Sequence, residues 1–258
     1  MGITGTEIAA YVGAAAWLPP IAYWIHGWLV KPVVQIVPER QIELGFTTFG
    51  PIFNVRVALS ARRKDAVIDR MWIELRHEGG ELRRLTWTGM RETFSEITDA
   101  AGNRQLVEKD QPAIALKVGT ALLTEKFVRF QDLRFHKGLR PLRNALLDHL
   151  IYLKGQEADL PEAVMASREL HDVVEFYKSS FWWKPGRYTV QFGIESRERA
   201  GLQAQTLGAE LTQHDVDALQ HNLDLIAPGF ENELRFPSTD LQLRILPWTW
   251  RYIPLVDS

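Results

Sequence analysis

The sequence predicts a mainly β protein: one N-terminal transmembrane helix followed by an antiparallel β-sandwich of immunoglobulin-like or similar build. Three observations predict it. Ile8 to Val30 runs 23 residues without Asp, Glu, Lys or Arg. After it, short apolar segments alternate with period two and are separated by turn residues, the signature of half-buried strands. No strand–helix–strand rhythm occurs, so the strands are expected to pair antiparallel in packed sheets.

The charge-free run is long enough, at roughly 34 Å as a helix, to cross a hydrocarbon core of about 30 Å. Trp17, Ile21, Trp24 and Trp28 share one helical face, aromatic rings gather toward its C-terminal end, and Lys31 closes it at the interface. Pro19 and Pro20 predict a kink within it, or a helix lying in the interface. Lys31, Arg40, Arg56 and the Arg62-Arg63-Lys64 cluster follow the run, while Glu7 precedes it. The positive-inside rule then places the C-terminal body in the cytoplasm and the protein in the inner (plasma) membrane. The expected organisation is an anchor at 1–30, an extended linker at 31–40, and a β body at 41–258 interrupted by a helical insertion near 139–176.

In chain order, Ile42, Leu44 and Phe46, then Phe53, Val55, Val57 and Leu59, predict two strands with Gly50-Pro51 between them. Ile73 with Leu75, and Leu85 with Trp87, predict a hairpin around Gly79-Gly80. Residues 89–111 read as irregular. Ile114 to Val118 and Phe127 to Phe135 predict further strands. Pro141 at a first turn, with Leu142, Ala145, Leu146, His149, Leu150 and Leu153 at helical spacing, predicts an amphipathic helix, and a second is expected from Asp159. Trp183-Lys184-Pro185-Gly186 leads into Tyr188, Val190, Phe192 and Ile194, the clearest alternation in the chain. This stretch is similar to a turn and strand common in many sandwiches. Thr212 as N-cap and Asp215 three residues on predict a helix start. Its buried stripe is Val216, Leu219, Leu223 and Ile226, and Pro228-Gly229 is its expected stop. The last strands are expected at 234–236 and 241–245, with an apolar tail after them.

Net charge is −2 and cysteine is absent. The first argues against nucleic-acid binding, and the second excludes disulfides and cysteine chemistry. No phosphate loop, dinucleotide fingerprint, nucleophile elbow or other catalytic motif occurs. The strongest polar constellation is His214, Asp217, His221 and Asp224, which recur on one helical face. Such a set can hold Zn²⁺ or a similar ion, or form a solvated stripe. Arg134, Lys137, Arg140 and Arg143 form a basic run that suits anionic lipid headgroups or a solvated helix start. His77-Glu78 is a lesser constellation, at the hairpin turn.

The expected function is that of an anchored adaptor or scaffold. Its partners would be the bilayer, through residues 8–30, and an unidentified protein, with homo-oligomers allowed and no cofactor. The alternatives are a membrane-bound metal-dependent enzyme using the His/Asp face, and an outward-facing envelope protein.

Overall fold

The computed structural model describes residues 16–98, 104–156, 160–203, 205–235 and 246–257. Helix α1 (Leu18–Leu29) leads into β1 (Val33–Thr47) and β2 (Gly50–Arg62). Strands β3 (Ala66–Ile68), β4 (Arg70–His77), β5 (Leu82–Thr98), β6 (Arg104–Pro112), β7 (Leu116–Val118) and β8 (Thr124–Gln131) follow. Three helices come next: α2 (Leu133–Gly155), α3 (Leu160–Met165) and α4 (Arg168–Ser180). Strands β9 (Gly186–Glu195), β10 (Gly201–Leu202) and β11 (Thr206–Leu211) precede α5 (Gln213–His221), a 3₁₀ turn (Asn222–Leu225) and α6 (Ile226–Arg235), and β12 (Arg251–Asp257) ends the order.

The strands do not form a sandwich. They pair in the ring β1-β12-β11-β9-β4-β5-β8-β2, and β2 pairs back with β1. Every neighbour in that ring is antiparallel, so the sheet is a closed barrel of these eight strands. Closure removes the free edges that a sandwich would leave on each sheet. Alternation of apolar and polar residues is the same in both architectures, which is why the sequence pattern does not separate them. Beyond the ring, β10 pairs parallel with the start of β1, and β6 extends β5 as a long hairpin arm. That arm covers most of the stretch expected to be irregular.

The barrel is filled. Val55, Val57 and Leu59 of β2, Met71, Ile73 and Leu75 of β4, and Val128 and Phe130 of β8 are buried in its core. Phe53 and Phe130 meet edge to face, with ring centroids 6.2 Å apart. Each such fully buried large side chain contributes roughly 1.5–3 kcal/mol by leaving water. The opposite faces carry Arg56 on β2, Glu74 on β4 and, on the neighbouring β5, Arg84.

Both helical insertions leave and re-enter the barrel at one end. Helices α2–α4 connect β8 to β9, and α5, the 3₁₀ turn and α6 connect β11 to β12. They enclose a second core around Phe46, Phe135, Leu146, Val173, Tyr177 and Phe230. Phe181, packed against both, joins the two cores and meets Phe46 of β1, and the Tyr177 hydroxyl donates to the Thr48 carbonyl at 2.7 Å, tying α4 to the β1–β2 turn.

The expected anchor is corrected. Among the described residues no helix is long and apolar enough to cross a membrane. Ala16 and Trp17 lie in a turn, and α1 has 12 residues, about 18 Å at 1.5 Å per residue. Pro19 and Pro20 explain the start: they occupy its first turn, where a missing N–H breaks no intrahelical bond. The proline pair therefore begins a short helix rather than kinking a long one. Single-pass insertion and the inner-membrane placement built on it are not supported, and residues 8–15 lie outside the described set.

Two boundaries also move. Residues 33–40 of the expected linker are the first half of β1, and the helical insertion begins at Leu133, with Pro141 inside α2. Asp132 caps α2 by accepting from the Arg134 amide at 2.8 Å. Pro228 and Gly229 lie within α6 instead of ending a helix. Of the last expected strands, Leu234 is helical and 236–245 lie outside the described residues, while the apolar tail provides β12.

Candidate functional site

The His/Asp constellation occupies the exposed side of α5 and the 3₁₀ turn. Tightening after His221 brings its Nδ1 to 3.2 Å from Asp224, and Asp217 accepts from the Gln213 side-chain Nε2 at 2.7 Å. His214 is exposed. Among the described residues no three His, Asp or Glu side chains come together in an arrangement that could hold a metal ion. The buried face of the same helix is more heavily constrained. Asp215 completes a capping box with Thr212 and accepts from Arg251 Nε at 2.7 Å. Burial pushes the Asp215 carboxyl up, but the Thr212 hydroxyl and amide and the Arg251 guanidinium outweigh it and hold it below the usual carboxylate range.

The basic run lies along α2. Arg143 pairs with Glu233 of α6 at 3.5 Å, while Arg134, Lys137 and Arg140 are exposed. Burial of His136 among them holds its imidazole below its ordinary value, against the pull of Asp132.

Of the residues assigned to the anchor, Trp17 and Trp24 are 68% and 72% exposed. Pro19, Pro20 and Lys31 are also exposed, and the Trp28 side chain lies outside the described set.

His77 serves as a staple. Its Nδ1 accepts from the Gly79 amide at 3.1 Å and its Nε2 lies 3.1 Å from the Pro185 carbonyl. A carbonyl only accepts, so the proton sits on Nε2 and both ring nitrogens are engaged.

Three concave regions stand out among the described residues. On the outer barrel face, Trp72 lies flat across Gly193, where a Cβ would come within 2.2 Å of the indole, and Arg84 stacks over the ring at 5.0 Å. Arg84 is also paired to Glu74, and Arg70 to Glu195, so the charges of this face are satisfied locally. A second region is an apolar cavity between α2, α3 and α6.

The third lies in the barrel wall and is not among the sites expected from the sequence. Strand β1 pairs with β12 only over Gln41–Leu44 and with β10 only at Val33 and Val34. Between these pairings its register on β2 slips from Pro38 to Ile42. The bulge turns Val37–Arg40 away from Leu255–Asp257 and opens a cleft of about 810 Å³, the open solvent at its mouth included. Leu207 and Leu255 are its buried floor, Val37 and Val256 are half-exposed walls at 46% and 56%, and Glu39, Arg40, Gln205 and Asp257 supply polar ends. A signal was present: Pro38-Glu39-Arg40-Gln41 interrupts the alternation between Ile36 and Ile42, and proline with three polar residues inside a strand marks a bulge.

No family model matches the chain, and neither a curated protein nor a solved structure matches it.

Proposed function

We propose that this chain is a binding module without a catalytic role, and that it works by seating an extended segment of a partner protein in the cleft between β1 and β12. The observation that carries the reading is the interrupted pairing of β1. Strand backbone that faces a gap offers amides and carbonyls to an added strand, and an apolar floor supplies pockets for alternate side chains. From Gln35 to Arg40 is six residues, about 20 Å of strand at ~3.3 Å each, which matches a short peptide rather than a folded domain. Val37 and Val256 would then contact the bound strand from both walls.

A random peptide library displayed on phage and panned against the full chain tests this. The expected result is a consensus with apolar residues at alternate positions. Val37→Asp and Val256→Asp abolish its capture without moving the melting temperature. A library that yields no consensus, or one indifferent to both substitutions, rejects the proposal.

A further inference from the structure

The cavity in the helical cap has different chemistry from the wall cleft. It is roofed by α2, α3 and α6 and holds about 370 Å³, its open mouth included. Its lining is aliphatic and aromatic: Leu146, Leu147, Leu150, Val164, Phe230 and Leu234. Val164, Leu146 and Phe230 are buried, so the floor belongs to the second core, whereas Leu147 at the rim is 50% exposed. An apolar pit of this kind favours an apolar guest.

The mouth is polar. Arg143 and Glu233 both line it, 3.5 Å apart and each about half exposed. That contact is long for a charge-assisted hydrogen bond, which leaves most of the guanidinium donors of Arg143 free. Arg140 lies one turn earlier on the same face of α2 as Arg143, Leu147 and Leu150, and has no ion pair among the described residues. The unused donors of Arg143 above an aliphatic pit, with Arg140 further along the same face of α2, complement a ligand with an alkyl chain and one anionic head.

We infer that this cavity binds a medium-chain aliphatic carboxylate, with its chain between α2, α3 and α6 and its carboxylate on Arg143. The site is independent of the wall cleft. Glu233 is not displaced, because guanidinium presents separate N–H groups to two carboxylates.

Isothermal titration of the full chain with octanoate, octanol and octylamine tests the inference. Octanoate is expected to bind saturably with one site per chain and more tightly than octylamine. Arg143→Gln weakens octanoate by about tenfold, the loss of one charge-assisted contact, and leaves octanol unchanged. Leu150→Trp, which fills the pit, abolishes binding of both. Leu147→Asp, an exposed rim change that spares the core, weakens octanoate alone, so the conclusion does not depend on the folding of the Trp variant. Val256→Asp leaves octanoate binding intact, which separates this site from the peptide cleft. Absence of saturable octanoate binding, or tighter binding of octylamine, overturns the inference.

Discussion

Asp215 shows how much a single residue can hold. It caps α5, closes a box with Thr212, and anchors Arg251 at the start of β12. Its side chain is nearly buried while Arg251 stays partly exposed. Asp215→Asn is therefore expected to cost about 2–3 kcal/mol, below the full penalty for splitting a buried pair, as read from urea unfolding at neutral pH. The cap was legible because Thr212 and Asp215 are three residues apart. Arg251 was not, because no local rule links it to a residue 36 positions earlier. Asn222 was missed for the same reason: its side chain both donates to the Thr249 carbonyl and accepts from the Thr249 amide, each at 2.8 Å, as a strand partner would. His136 gives a pH dependence. Its depressed folded value means that the unfolded chain takes up the proton first, so its contribution is complete above the ordinary value of 6.5 and declines as pH falls through it. The urea midpoint of the wild type is expected to drop between pH 7.5 and 5, and His136→Gln to drop less. Equal drops would show that His136 does not couple to folding.

Elements were legible where the pattern was local. The β4–β5 hairpin, β9 and α5 follow from alternation, turn glycines and capping spacing, and the structure places all three. Strand partners were not legible, because period-two alternation assigns a face and not a neighbour. One partner choice is visible in packing. Gly45 of β1 lies under Trp250, which precedes β12; a Cβ there would approach the indole to 2.3 Å. Only glycine lets the ring cover the strand, and this contact helps set the β1–β12 register that starts at Leu44 opposite Arg251. Gly45→Ala is expected to destabilise by about 1–3 kcal/mol through overpacking. Because the two residues touch, Gly45→Ala combined with Trp250→Ala should cost less than the sum of the single changes. Additive costs in thermal or urea unfolding would mean that the ring and the strand do not interact.

At the scale of the molecule, a sandwich and a closed barrel make different statements about β1. In a sandwich it can be an edge strand, open along its length. In the barrel it is paired on β2 nearly throughout, and on its other side by β10 and then β12, with an interruption only between Val34 and Gln41. The distinction rests on pairings such as Gln41 with Pro254, more than two hundred residues apart in sequence, which no window of local pattern contains. It has a direct readout in native-state hydrogen exchange. Amides of β1 from Ile42 to Phe46 are expected to exchange slowly, on the timescale of global unfolding. Those among Val37, Glu39 and Arg40 that point away from β2 are expected to exchange orders of magnitude faster, because no strand meets them there. Uniform fast exchange along β1 would indicate an edge strand and an open sheet. Uniform slow exchange would mean that the cleft is closed in solution, and the seat proposed for a partner strand would be lost with it.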